Sequence, residues 1–130
     1  MGWGEKRKRK GFRRLLHSFV YAFQGLYYVL RHEQNMQIHL GVSLLIIVFG
    51  LMVELSPLRW AILMIVIGGV IALEMVNTAI ERIVDLVSSD FHPLAGIAKD
   101  VAASAVLIFS MIAVVVGIII FFEPLLQWIS

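Results

Sequence analysis

Apolar positions along this chain follow one rhythm near the N-terminus and none at all afterwards. Phe12, Leu15, Leu16, Phe19, Phe23, Leu26, Tyr27 and Leu30 recur at three- and four-residue spacing, with Arg13, Arg14, His17, Ser18, Gln24 and Arg31 largely opposite. That period predicts an amphipathic helix over residues 11–32, and its aromatic content beside a basic flank suits a helix lying in a membrane interface. A polar break at residues 31–35 follows. Residues 36–55 are then almost continuously apolar, roughly the 20 residues needed to cross a bilayer. Glu54, Ser56 and Pro57 close that span, because the residue before a proline resists helical geometry. A second span is expected over 58–86, with an apolar centre from 60 to 80 and Trp60 as an interfacial anchor. The composition Ser88, Ser89, Asp90, His92, Pro93, Gly96 reads as a turn. A third span is expected over 97–122, stopped by Glu123 and Pro124. The expected fold is an all-α integral membrane protein, a single domain over 1–130 with a basic tail at 1–10, one surface helix and three transmembrane helices.

Composition agrees. Of 130 residues, 60% are hydrophobic, which is too apolar for an ordinary soluble domain. There is no cysteine, so thiolate metal sites and disulfides are excluded and any metal chemistry falls to carboxylates. The net charge of +2 hides a concentration of positives in Lys6, Arg7, Lys8, Arg9 and Lys10, with Arg13 and Arg14 close behind. Such a run suits an anionic cytoplasmic leaflet better than a nucleic acid, and no nucleic-acid motif accompanies it. A secretory signal peptide is not expected either, since His17, Ser18 and Gln24 interrupt the segment after the basic run. With the tail inside, the turn at 54–59 and the C-terminus lie outside, and the connection at 86–98 lies on the cytoplasmic side.

Against this apolar background, the second span carries Glu74, Asn77, Glu81 and Asp85. At about 100° per residue these fall near 0°, 300°, 340° and 20°, one arc of roughly 80°. Ile80, Ile83, Val84 and Leu86 keep the opposite side apolar. Ionisable groups at membrane depth are costly, and a one-sided row of them is retained where it faces protein, metal or water. The competing reading is that the helix has already left the bilayer and the row faces cytoplasm. The inferred topology brings this stripe to one level with Glu33, Lys99 and Asp100.

Carboxylates without thiolates suit a hard cation such as Mg²⁺, which takes one or two carboxylates and completes its shell with water and phosphate oxygens. Glu33 and Glu81 are the candidate pair. Lys99, expected at the opening of a helix, adds a cation to exposed N–H donors, a combination suited to nucleoside triphosphate recognition. No Walker-type or kinase-type glycine loop is present, so a nucleotide would be held by another scaffold. Phosphoryl transfer still requires only metal, cation, positioning and a base. Glu74, at a depth where its side chain is partly dehydrated, is the candidate base for the proton of an alcohol.

The pattern Glu74-x-x-Asn77-Thr-Ala-Ile-Glu81-x-x-x-Asp85, followed by His92-x-x-x-Gly96-x-x-Lys99-Asp100-x-x-Ala103-Ser-Ala-Val, resembles the prokaryotic diacylglycerol kinase and undecaprenol kinase family. The resemblance runs from about residue 11 to the last span. It implies a homotrimer with sites between subunits at the cytoplasmic face, transferring the γ-phosphate of ATP to a lipid alcohol. It further implies Glu74 as general base, Asn77 in the catalytic cluster, and Glu33 with Glu81 as metal ligands. Nucleotide contacts are implied for Arg14, Tyr21, Lys99 and Asp100, and for the turn Asp90-Phe91-His92, while Asp85 reads either as the nucleotide-side end of the polar stripe or as a residue facing water. Ala103 stands where the diacylglycerol-specific branch has a serine. The run Glu33-x-Asn35-x-x-Ile38-His39 resembles the Gram-positive branch, which implies undecaprenol as substrate, with diacylglycerol as the alternative.

The remaining unusual residues have plainer explanations. His17, His32 and His39 read as polar residues of a membrane interface, and the methionines as packing fillers. Gly68, Gly69 and Gly117, with the ridge Ala98, Ala102 and Ala105, read as places of close helix approach. Glu54, Arg59 and Glu123 read as solvated helix ends. A non-enzymatic class, a small cation-binding membrane subunit, competes with the kinase. An ion path would place polar residues along more of the membrane depth, whereas residues 40–53, 60–73 and 101–122 are essentially unbroken apolar runs.

Overall fold

The computed structural model describes residues 11–88 and 90–130; the expected basic tail lies outside the described residues. All described secondary structure is helical: α1 (Phe12–His32), α2 (Gln34–Met52), α3 (Pro57–Val87) and α4 (Pro93–Ile129). The chain divides into two compact units, one ending at His32 and the other running from Glu33 to Ser130. The first unit is α1, an amphipathic helix whose Phe12, Leu15, Phe19, Phe23 and Tyr27 are exposed. On its polar side Ser18 Oγ donates to the Arg14 carbonyl at 2.9 Å, and the His32 ring stacks on Tyr28.

In the second unit α2, α3 and α4 are each long and apolar enough to cross a membrane. Each is bounded by chemistry readable in the sequence. At the end of α2 the chain makes a Schellman turn: Leu55 N–H donates to the Gly50 carbonyl at 3.2 Å and Glu54 N–H to Leu51 at 3.4 Å. Glu54 occupies the left-handed position of that turn, at φ 54°. Gly50 lies beneath it in close quarters, since a Cβ there would stand 3.0 Å from both Leu55 Cδ1 and the Trp60 ring and would push them by a few tenths of an ångström. Helix α3 then starts on Ser56, whose Oγ accepts from Arg59 N–H, with Pro57 at the first position where its missing N–H costs nothing. His92 and Pro93 play the same parts for α4, His92 Nδ1 accepting from Leu94 N–H at 3.1 Å.

Two expectations about α4 are corrected by those features. It begins at Pro93 rather than 97, because the proline is an N-terminal residue of the helix and not part of a loop; Lys99 therefore sits almost two turns inside rather than at the free N–H groups. At the other end it passes through Pro124 to Ile129. Pro124 withholds a hydrogen bond from the Ile120 carbonyl, yet Ile120, Phe121 and Pro124 are all buried, and their packing holds the helix on course.

The apolar core lies at the Glu54 end. Val53, Leu55, Leu63, Ile120 and Phe121 are buried, with Ile46, Phe49, Trp60, Ile67 and Val116 packed around them. The Phe49 and Phe121 rings meet at 5.1 Å between centroids. Arg59 and Glu123, expected as solvated ends, pair at 2.7 Å and tie α3 to α4 outside this core. Gly69 does admit close approach, the Phe109 ring of α4 lying where its Cβ would be. Gly68 and Gly117 face open space, and of the alanine ridge only Ala102 is buried. The loss of these contacts from the interior follows from α4 turning Val106, Phe109 and Ala102 towards α3 instead.

Replacing Glu54 by glycine is expected to stabilise the protein by about 0.5–1 kcal/mol, since a left-handed residue without Cβ is unstrained. Thermal unfolding in detergent micelles measures it; an unchanged or lowered midpoint contradicts the assignment of this turn.

Candidate active site

The apolar face of α3 becomes polar without changing direction. Leu63 and Val70 are buried, and one turn further along the same stripe so are Glu74, Asn77 and Thr78, which are 2%, 5% and 2% exposed. Glu74 and Asn77 therefore face protein, and the reading in which the helix has already emerged into water fails at their level. Burial then falls away along the stripe: Glu81 is half-buried and Asp85 exposed. Thr78 is satisfied locally, its Oγ1 donating to the Glu74 carbonyl at 3.0 Å.

Around Glu74 the structure gathers side chains from two helices. His39 of α2 places Nε2 3.7 Å from Glu74 Oε2. Asn77 donates to Glu81 Oε1 at 3.4 Å and also reaches the Glu74 carboxylate. Glu33 and Glu81 both lie within electrostatic reach of Glu74. Glu33 is the N-cap residue of α2, but its side chain makes no capping bond and goes instead to the Arg82 guanidinium. The carboxylate is thus spent on α3 rather than on its own helix. Asn77 Oδ1 is buried without a partner, an acceptor left open inside an acidic pocket. Among the described residues no group of three or more histidines, aspartates or glutamates is close enough to hold a metal ion unaided.

One turn beyond Arg82, Asp85 pairs with Lys99 of α4. The first residue of α2 and the second turn of α4 therefore meet α3 at neighbouring levels. Asp100 is exposed, and its carbonyl accepts from Ser104 Oγ. Asp90, Phe91 and His92 form the exposed connection between α3 and α4; His92 is committed to capping, and Phe91 is 94% exposed. Arg14 and Tyr21 belong to α1, in the separate N-terminal unit.

Below Glu74 a cavity of about 590 Å³ runs between α2, α3 and α4. His39 and Ser43 stand at its head, and Ile46, Phe49, Val70 and Phe121 are among the apolar residues lining it. Its α4 wall extends from Ser110 to Leu125, about 22 Å along the helix axis.

The sequence of this chain matches the prokaryotic diacylglycerol kinase family over residues 20–121. The chain belongs to that family. It is 42% identical over 120 residues to the undecaprenol kinase of Bacillus subtilis, covering 92% of this chain and 98% of that one. Similarity to a diacylglycerol kinase of Synechocystis is 40% over 114 residues, covering 87% of this chain and 65% of the relative. A diacylglycerol kinase of Escherichia coli K12 is 30% identical over 105 residues, with 81% and 86% covered. All the buried polar groups just described fall inside the stretch matched by the family.

Two residues of this cluster escape sequence reasoning. His39 reads as an interface residue until α2 is set beside α3, although Asn35, His39 and Ser43 share one face at four-residue spacing. Arg82 lies one residue off the acidic stripe, and its signal is only that it is a lone cation among acids.

The Glu33–Arg82 pair links α2 to α3 at the edge of the site. A double-mutant cycle with Glu33→Gln and Arg82→Gln is expected to show a coupling of about 0.5–1 kcal/mol in micelle unfolding; additive single effects would remove the pair from the account.

Proposed function

We propose that this protein is a kinase of the cell membrane that transfers the γ-phosphoryl group of ATP to the hydroxyl of undecaprenol, giving undecaprenyl phosphate and ADP. The observation that carries this reading is the Glu74 carboxylate, buried in a membrane-spanning helix of a diacylglycerol kinase family chain and flanked by Glu33 and Glu81. The names of its relatives share one chemistry, phosphorylation of an alcohol on a long apolar body, and the cavity leading from His39 is apolar in the same sense.

In this mechanism Glu74 takes the hydroxyl proton as the alcohol oxygen bonds to the γ-phosphorus. The bond from that phosphorus to its bridging oxygen breaks, and ADP leaves with the electron pair. Asn77 orients Glu81 and Glu74 together. The donor set suits a hard cation, being all oxygen and including the open Asn77 Oδ1, and Glu81 with Glu33, once Glu33 is released from Arg82, would hold Mg²⁺. When bound, that ion neutralises charge on the triphosphate. Lys99, Asp85 and Asp100 contact the nucleotide, and the family resemblance assigns nucleotide contacts to Arg14 and Tyr21 as well. The Asp90-Phe91-His92 turn offers the exposed Phe91 ring as a face for the base. The basic run at 6–10 orients the N-terminus and the site towards the cytoplasm, α1 lies in the interface, and the family resemblance supports a homotrimer. The whole chain then acts as one kinase domain.

Purified protein in micelles with ATP, Mg²⁺ and undecaprenol tests the reading by formation of the lipid phosphate; no product overturns it. Glu74→Gln is expected to lower kcat by about 10²–10⁴-fold while leaving ATP affinity almost unchanged. Preserved turnover would remove Glu74 as the base. The similarity to diacylglycerol kinases favours a second substrate. With undecaprenol and diacylglycerol competing in the same micelles, the undecaprenyl product is expected to dominate, and a diacylglycerol preference would reverse the substrate assignment.

A further inference from the structure

A fully buried carboxylate cannot be oriented by bulk water, so whatever touches it determines where its lone pairs point. Glu74 meets Asn77 from its own helix on one side. On the other it meets His39 of α2, with Nε2 3.7 Å from Oε2. The ring is about three-quarters covered, and it also stands at the head of the apolar cavity, so it occupies the boundary between the acid cluster and the greasy channel. Ser43, one turn along α2, does not compete for the imidazole: its hydroxyl donates to the His39 backbone carbonyl at 2.6 Å. The charged groups facing this corner are Glu33, Glu74 and Glu81, with Arg82 committed to Glu33.

We propose that His39 is a positioning residue of the phosphoryl-transfer site: its ring N–H holds one Glu74 oxygen towards α2, leaving the other to receive the hydroxyl proton where the cavity opens. This rests on the kinase reading above and adds to it a residue that acts through Glu74 and not on nucleotide. The 3.7 Å separation exceeds hydrogen-bonding distance by about 0.5 Å. The role calls for a donor at a given reach, not for imidazole as such. Glutamine can supply that donor, leucine fills similar volume without one, and asparagine carries a donor too short to arrive.

The test compares lipid-alcohol phosphorylation by wild type, His39→Leu, His39→Gln and His39→Asn in micelles, with ATP KM and thermal unfolding measured on each. Leucine is expected to lower kcat by about tenfold or more, the loss of one hydrogen bond to a charged group, with ATP KM changed by less than about twofold. Glutamine is expected to restore most of the rate. Wild-type kcat in His39→Leu overturns the proposal, as does an equal loss in leucine and glutamine variants, or a change confined to ATP KM. If the leucine variant does not fold, glutamine against asparagine decides: a clear advantage for glutamine supports the role, and equal rates overturn it. An inactive wild type counts against the kinase reading itself and is separated from these outcomes by being measured first.

Discussion

A carboxylate taken out of water within a lipid-spanning helix is the constraint on which this molecule turns. Glu74 is buried as deeply as Leu63 of the core, and removing such a charge from water is tolerated only where dipoles and counter-charges converge on it. That requirement explains why α2 carries His39 at its height and why Asn77 sits one turn away. Each of these is locally unfavourable or neutral, and together they make a polar pocket possible in a chain that is otherwise oil-soluble.

The two ends of the helical bundle divide the labour. Around the turn at Glu54 the helices interlock through Phe49, Leu55, Leu63 and Phe121, and the Arg59–Glu123 pair closes the outside. Apolar packing between transmembrane helices gains little from water exclusion, so close shape fit such as the Phe109 ring over Gly69 has to supply the attraction. At the other end contact is made by charge: Glu33 with Arg82, Asp85 with Lys99. Stability and chemistry are thereby separated along the length of α3, and polar groups can be arranged for reaction without loosening the core.

Much of this architecture is legible in the residues because lipid imposes a simple code. An apolar run of twenty residues has few alternatives, so α2 and α3 are readable almost to their ends, and the arc shared by 74, 77 and 81 already points inward. Prolines are where reading from sequence errs. Pro93 and Pro124 both look like stops, yet one is the first residue of α4 and the other is carried through it, because a neighbour's packing outweighs one missing hydrogen bond. The common level of Glu33, Lys99 and the acidic stripe is legible, but the individual pairings across helices are not. His39 and Arg82 are unremarkable on their own helices and acquire meaning only from what stands opposite, and the mutual register of two smooth apolar cylinders is not written in either one. Glycines fail for the same reason: Gly69 and Gly68 are adjacent, and only the helix facing them distinguishes contact from open space.

The helices of the bundle differ greatly in length. α2 has 19 residues and α4 has 37, about 28 Å and 56 Å at the rise of an α-helix. A hydrocarbon slab of roughly 30 Å matches the first and is far exceeded by the second, which must lean or project. The short member, on which His39 is mounted, therefore has no length to spare in a thicker slab, whereas α4 has a large excess.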